Sequence, residues 1–367
     1  MKHQAVNKMT TIQYIFLTTG IQISVAFLAL PRILAERAGT DGWVSLVIGW
    51  AISVASSWAL IMVMKRSSNQ ETLLGLLNRY IGKWAMWVFG APFALYFIYF
   101  GYAGLVRAII ITKTWVLPQT PSYIIMILFL IPTYIIASNG AMILGRYAEL
   151  IFLMSLWVPF VYLIPFKDAR WLHLLPIWKT GWSPIFSALP DSIYAYAGFG
   201  ASFILYPFLE HKEKAAFGLI ISNSLTLLGY LFITVACFVY FSPKEIQEYN
   251  EPVITLLKAL EFKFVERVEI LFISFFLLIF SLSWIPTFYV GVYCTSRLLG
   301  SQDSRNHLRI LLVALAVASY FFMPSSRLSE RLDSIVGSIG FLQEYVFPFL
   351  LLAYIWIYDR FQRRSSA

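Results

Sequence analysis

Charge is scarce in this chain. Only 13% of its 367 residues are Asp, Glu, Lys or Arg, about half the share of a soluble domain, which excludes a self-standing water-soluble fold. Chemistry-bearing residues are equally thin. The four histidines, His3, His173, His211 and His307, fall on the N-terminal tail and three separate loops, without a second His, Cys or carboxylate at ligand spacing, so no metal site is expected. The two cysteines, Cys237 and Cys294, lie inside apolar runs and read as small buried hydrophobes rather than a disulfide framework. There is no Walker loop, no Gly-x-Ser-x-Gly elbow and no zinc-protease helix. The chain is therefore read as no enzyme, with no catalytic residues, no metal and no cofactor. Its pI of about 9.4 does not point to nucleic acid, because the basic residues are spread over six short loops without a basic stripe. Anionic membrane lipids are the expected polar partner.

What the chain has in abundance is apolar surface: 59% of it is hydrophobic and 17% aromatic, with a mean hydropathy of +0.72. Apolar runs near 20 residues match a hydrocarbon core of about 30 Å, where only a helix satisfies its own backbone within one segment. The runs lie near 12–34, 43–64, 84–112, 121–138, 146–165, 187–209, 215–241, 268–298, 308–324 and 338–358. They predict an all-α polytopic membrane protein of about ten transmembrane helices. The first run is too long for a signal peptide and ends in Leu30-Pro31-Arg32 without a small-x-small cleavage site.

Orientation follows from the loops. Alternating ten helices from a cytoplasmic N-terminus places fifteen Lys and Arg with six acids on the inner face, so that the whole net charge of +9 lies there. Retention of Lys and Arg on the cytoplasmic side then puts both termini in the cytoplasm. Two polar stretches carry an apolar helical face. Residues 65–83 place Leu73, Leu74, Leu77, Tyr80 and Ile81 on one side, predicting an interfacial helix on the inner surface. Residues 242–267 place Ile246, Val253, Leu256, Leu257 and Leu260 among charges, predicting a short helix lying on the outer surface. Glu149, Asp191, Glu210 and Glu344 fall near helix ends and read as interfacial carboxylates.

Arg107 lies inside the third run. An Arg at a helix centre costs about 2.5–3.5 kcal/mol on insertion, against roughly −5 kcal/mol from the twelve Leu, Ile, Val and Phe between 88 and 111, so the helix inserts and an interior partner for Arg107 is expected. Two other runs contain interruptions. The first has Ser24-Val25-Ala26 before Pro31 and the sixth has Gly198-Phe199-Gly200 before Pro207. An offset of five helices reverses membrane direction, which is the arrangement of a five-plus-five inverted repeat. The first repeat is placed at 1–165, the second at 187–358, and a cytoplasmic tail at 359–367, within a single membrane domain.

Several motifs carry a family resemblance over residues 11–360. They are Leu30-Pro31-Arg32, Ala38-Gly39-Thr40-Asp41-Gly42-Trp43, Arg107, Leu117-Pro118-Gln119-Thr120-Pro121, Leu175-Pro176-Ile177 with Gly181-Trp182, and Phe264-Val265-Glu266-Arg267. Together they resemble the B subunit of spore nutrient-germinant receptors, the endospore germination permease family, itself similar to permeases of the amino acid, polyamine and organocation superfamily. The resemblance implies an amino-acid-permease fold and a subunit of the spore inner membrane. It further implies that the subunit senses a small nutrient, an amino acid foremost, and works beside A and C subunits. A proton- or sodium-coupled amino-acid transporter and a scaffold without ligand are the alternatives. Two departures from the family pattern stand out: Ser24-Val25-Ala26 replaces Gly-x-Gly, and Gly200-Ala201 lacks the Glu that often follows a Gly in the sixth helix. On the permease analogy the ligand site is expected at Ser24, Val25, Ala26, Gly198, Phe199, Gly200 and Ala201, walled by Tyr96, Phe100 and Gly101 from the third helix and Ser283, Trp284 and Thr287 from the eighth. Gly198→Ala is expected to be mild.

Overall fold

The computed structural model describes residues 8–67, 71–176, 178, 181–258 and 268–365, and among them it is helical, with one isolated bridge between Met9 and Leu209. Helix α1 (Thr11–Gln22) opens on a reciprocal cap. Thr10 Oγ1 accepts from the Gln13 amide while Gln13 Oε1 accepts from the Thr10 amide, both at 3.2 Å, which satisfies two donors that a helix start leaves open. The helix stops at Gln22, a 3-10 turn covers Val25–Leu28, and α2 (Leu30–Ala38) restarts with Pro31 in its first turn. A missing N–H costs nothing there, so Pro31 favours a restart.

Four more unbroken helices follow α3 (Gly42–Met64): α4 (Leu73–Tyr80), α5 (Lys83–Trp115), α6 (Ser122–Ala137) and α7 (Ala141–Ser155). The sixth apolar run is again in pieces. It consists of α8 (Leu189–Tyr194), an unwound stretch to Gly198, a 3-10 turn at Phe199–Ala201, α9 (Ser202–Leu205) and a second 3-10 turn at Tyr206–Phe208. Beyond it lie α10 (Ala215–Tyr240), α11 (Pro252–Lys258), α12 (Val268–Leu298) and α13 (Arg305–Phe321). Helix α14 (Ser326–Gly340) continues through a π-helical segment, Phe341–Val346, into α15 (Phe347–Ser365).

Six described segments are long and apolar enough to cross a membrane: Leu30–Met64, Lys83–Trp115, Ala141–Asp168, Lys212–Tyr240, Ile270–Leu298 and Ser326–Gln362. The broken first and sixth runs and the shorter α6 and α13 are the other members of the ten-span proposal. Large apolar side chains face outward on the shorter pair, Leu128, Ile131 and Ile135 on α6 and Ile310, Val313 and Val317 on α13. Such an outer surface suits lipid and not water. The chain is an integral membrane protein.

In lipid, helices associate by close packing, and small residues set the contacts. Helix α5 lies along α12, where a Cβ on Gly291 would stand 2.9 Å from the Ala94 carbonyl oxygen and one on Gly101 would stand 2.8 Å from Thr287 Oγ1. Helix α1 packs against α7, α10 and α12, with Tyr14, Leu17 and Ile21 wholly buried. The chain just before α1 is tied to the end of the sixth run, since the Met9 amide donates to the Phe208 carbonyl at 2.8 Å and the Glu210 amide to the Met9 carbonyl at 3.0 Å. Both interrupted runs thus lie at the centre of the bundle.

Two expectations change. The leucines of α4, Leu73, Leu74 and Leu77, are buried against protein, with Leu74 meeting Gly90 of α5; this helix docks on the bundle instead of lying on lipid. Helix α11 likewise buries Val253, Leu256 and Leu257 completely, so it plugs the bundle rather than resting on its surface; Leu260 lies outside the described residues. In both cases apolar periodicity located the face, but only the fold decided what covers it.

The orientation proposal has a direct check. Native Cys237 and Cys294 are buried, so background labelling is low. With both termini cytoplasmic, Ser183→Cys and Ser325→Cys, at exposed positions, react with a membrane-impermeant maleimide from outside. Ser301→Cys reacts only after permeabilisation, and the reverse pattern overturns the orientation.

Candidate functional site

Breaking a helix inside a membrane frees amides and carbonyls that need protein partners. At the sixth run the break turns on Gly198, whose φ of +115° is a conformation L side chains rarely adopt. A Cβ there would also stand 2.3 Å from Ile21 Cγ2 of α1. The expectation that Gly198→Ala is mild is therefore corrected, because both backbone and space require glycine.

The freed amides are taken by Glu344. Its Oε1 accepts from the Tyr96 hydroxyl at 2.6 Å and from the Gly198 amide at 2.9 Å, and its Oε2 accepts from the Gly198 amide at 2.8 Å and the Gly200 amide at 2.9 Å. Every partner is a donor, so both carboxyl oxygens act as acceptors. Glu344 is wholly buried, and among the described residues it is held by neutral groups rather than by a cation. A Cβ on Gly200 would stand 2.8 Å from Glu344 Cγ, so glycine is what lets the carboxyl approach. Glu344 lies in the π-helical segment, where the wider turn re-aims side chains. The expectation of an interfacial carboxylate fails at this residue, which lies deep in a continuous helical segment starting at Ser326. Polar residues between 326 and 334 hid that start. Glu344 also brings a carboxyl group to Gly200, the neighbourhood in which the family pattern had led us to note its loss.

The break in the first run is filled by an amide. Gln22 Nε2 donates to Asn223 Oδ1 at 2.7 Å and to the Tyr196 carbonyl at 3.1 Å, and its Oε1 accepts from Thr226 Oγ1 at 2.5 Å. The Gln22 carbonyl accepts from the Tyr230 hydroxyl at 3.2 Å, while Asn223 Nδ2 donates on to Ser57 Oγ at 2.9 Å. All four side chains that join Gln22 or extend the network, Asn223, Thr226, Tyr230 and Ser57, are buried, and a fully paired buried network specifies one arrangement. Gln22, Asn223, Thr226 and Glu344 were not among the expected site residues. A polar residue within an apolar run is the available signal, and single-sequence reading cannot rank it above ordinary packing.

The expected site residues divide. Tyr96, Gly198 and Gly200 meet at Glu344; Phe100 packs on the Tyr96 ring at 6.0 Å and Phe199 stands edge-on to Tyr345 at 5.2 Å. Ala201 follows in the 3-10 turn, its amide bonded to the Gly198 carbonyl at 3.1 Å. Ser24 is buried at the first break, and Val25 and Ala26 lie in the turn that follows it. Gly101 meets Thr287 across the α5 and α12 contact. The hydroxyls of Ser283 and Thr287 turn back onto their own helix, to Phe280 at 2.8 Å and to Ser283 at 2.7 Å. Trp284 joins α6 instead of the breaks, donating to Thr133 Oγ1 at 3.1 Å and packing on Phe129.

Arg107 sits toward the C-terminal end of α5, nearly buried. Its guanidinium lies 3.6 Å from Glu251, next to α11, and Glu251 also accepts from the Trp115 indole at 3.2 Å. Lys258 at the other end of α11 stands 4.4 Å above the Trp115 ring. Two contacts to α5 thus hold the plugging helix. In the motif ahead of α3, Asp41 is buried and accepts from the Trp178 amide at 2.9 Å; Ile177 and Phe264-Val265-Glu266-Arg267 lie outside the described residues.

A family model described as "Spore germination protein" matches residues 8–329. The chain belongs to this spore germination protein family. Among its relatives, it is 22% identical over 347 residues to "Spore germination protein GerQB" of Bacillus cereus, covering 93% of each chain. It is 23% identical over 375 residues to "Spore germination protein B2" of Bacillus subtilis (strain 168), covering 97% of this chain and 98% of that one. Two solved structures share its fold. One is MhsT in complex with L-phenylalanine, with a TM-score of 0.63, 14% identity and coverage of 94% of this chain and 87% of that one. The other is a substrate-bound, outward-open Na+-coupled sialic acid symporter, with a TM-score of 0.70, 12% identity and coverage of 95% and 79%. The spore germination family is thus represented here by a transporter fold with interrupted helices at its centre.

Two substitutions test the geometry. Gly198→Ala forces an L residue into positive φ at a cost of about 1–2 kcal/mol and collides with the Cγ2 methyl of Ile21, so the melting temperature in detergent falls. Arg107→Ala removes one partner of a nearly buried ion pair, a loss of about 3–5 kcal/mol, and Arg107→Lys restores part of it, because the pairing is a single 3.6 Å contact that does not use the guanidinium fork. Normal melting temperature and abundance in both Arg107 variants would show that its pairing contributes nothing.

Proposed function

We propose that this chain is the B-type membrane subunit of a spore germinant receptor. It senses a small nutrient, an amino acid foremost, and passes the event to A and C partner subunits in the spore inner membrane by a conformational shift. The observation that carries the reading is the pair of helix breaks at the bundle centre, where the Gly198 and Gly200 amides and the Tyr96 hydroxyl already hold a carboxyl group. Donors of that kind recognise an acidic nutrient without any Arg or Lys in the pocket. Family membership and relatives matched over nearly their full length support the germination role. Proton- or sodium-coupled amino-acid transport is the second reading, favoured by likeness to transporter structures over 94–95% of the chain. A scaffold without ligand is the third, and the filling of both breaks by the chain's own side chains favours it. Partner subunits distinguish sensing from transport only in the cell, so spores are the proper assay.

Gly200→Val puts branched carbon into the space Glu344 occupies. Under the receptor reading, spores carrying it keep normal subunit abundance but lose their response to a mixture of the twenty L-amino acids. Lowered abundance with an unchanged response per receptor would assign Gly200 to packing and move the site elsewhere. Uptake of radiolabelled amino acids into vesicles containing this chain alone would favour transport.

A further inference from the structure

Glu344 is a buried acidic group outside the family motifs, and the nutrient reading uses its donors but assigns no role to the carboxylate itself. Four hydrogen bonds from three donors converge on it. The donors come from two separate parts of the fold, the unwound stretch at Gly198 and Gly200 and the face of α5 that carries Tyr96. Together they form a closed cradle of carboxylate size, and the carboxylate in it belongs to the chain. Its acceptor positions are nearly used up, since a carboxylate offers about four lone-pair sites, so a further ligand cannot simply add to Glu344. Space is also taken, because Gly200 approaches Glu344 Cγ within the distance a Cβ would need.

We propose that Glu344 is a tethered occupant of the nutrient site, standing in for the carboxylate of an acid-bearing nutrient, so that binding the nutrient and releasing the tenth helical segment from the sixth are one event. This rests on the receptor reading above. Only one carboxylate fits the three donors. A nutrient carboxylate that takes the Gly198 and Gly200 amides must send Glu344 out, and with it the π-helical segment that connects α14 to α15. The freed amides never go unpaired, since one acid replaces another; the exchange therefore avoids the penalty of a bare buried amide. Differential affinity for the two arrangements is what lets a ligand shift an equilibrium, and here it is supplied by competition for one set of donors. An amino-acid nutrient has the added means of holding the displaced Glu344 through its ammonium group.

The test uses the full chain in detergent and in spores, with acetate as the probe of the cradle. Glu344→Ala empties the cradle, so sodium acetate raises the melting temperature of this variant by about 2 °C or more over equal sodium chloride. It has no such effect on the parent protein, whose cradle is full, or on the Gly200→Val/Glu344→Ala double variant, whose cradle is filled by carbon. Glu344→Gln preserves shape and removes the competing charge. Spores carrying it respond to the amino-acid mixture at a roughly tenfold lower concentration, or germinate without it. Acetate acting no better than chloride on Glu344→Ala, while Gly200→Val spores stay unresponsive, overturns the tethered occupant and leaves the nutrient site standing. Gly200→Val spores that respond normally overturn the nutrient reading itself, and the proposal with it. A Glu344→Gln response that falls only in proportion to abundance makes Glu344 a structural tie and overturns the proposal.

Discussion

A helix interrupted within a membrane leaves backbone groups that no water can satisfy, and the centre of this protein is organised around answering that constraint. Two amides of the sixth run are answered by Glu344, which also accepts from Tyr96, and the end of the first run is answered by Gln22, Tyr230 and their polar neighbours. The remaining features follow from those answers. Gly198 is needed for the turn that exposes the amides, and Gly200 for the approach of the carboxyl group. The π-helical segment places Glu344 opposite them, and Asn223 and Ser57 complete the pairing that Gln22 begins. Each break is closed by a side chain from elsewhere in the fold, so the first, sixth, seventh and tenth helical runs are held as one unit by polar contacts inside an apolar shell.

The C-terminal end of α5 is held by a different balance. Helix α11 buries its apolar face in the bundle, while Glu251 and Lys258 at its two ends meet Arg107 and Trp115 of α5. An ion pair in such surroundings is strong chiefly in the sense that losing one partner is costly. It acts here as a registry device that sets where an otherwise featureless apolar helix docks. Charge is sparse in this protein, and where it is buried it marks the contacts between the segments that surround the breaks.

Membrane character and helix class were legible because lipid makes one demand on every residue of a span, and that demand is additive along the sequence. The third run illustrates this, since twelve apolar side chains outweigh Arg107 wherever Arg107 points. The interruptions before Pro31 and Pro207 were also legible, because backbone freedom at glycine and the missing amide of proline are properties of single residues. The tenth helical segment was misjudged at its start, where Ser326, Arg327, Glu330, Arg331 and Asp333 made a polar stretch look like a loop. Helix α4 and helix α11 were found at their correct places but assigned the wrong cover, since an apolar stripe looks the same whether lipid or protein meets it.

Sequence by itself thus determined the solvent, the secondary structure and the two places where helices break, because each depends on local composition or on one residue's backbone chemistry. Tertiary structure alone decided which side chains fill those breaks. Glu344 lies 144 residues from Gly200, and Gln22 lies 201 residues from Asn223. Hydrogen bonding requires donor and acceptor within about 3 Å, and no periodicity in a single chain records that two such distant residues will meet.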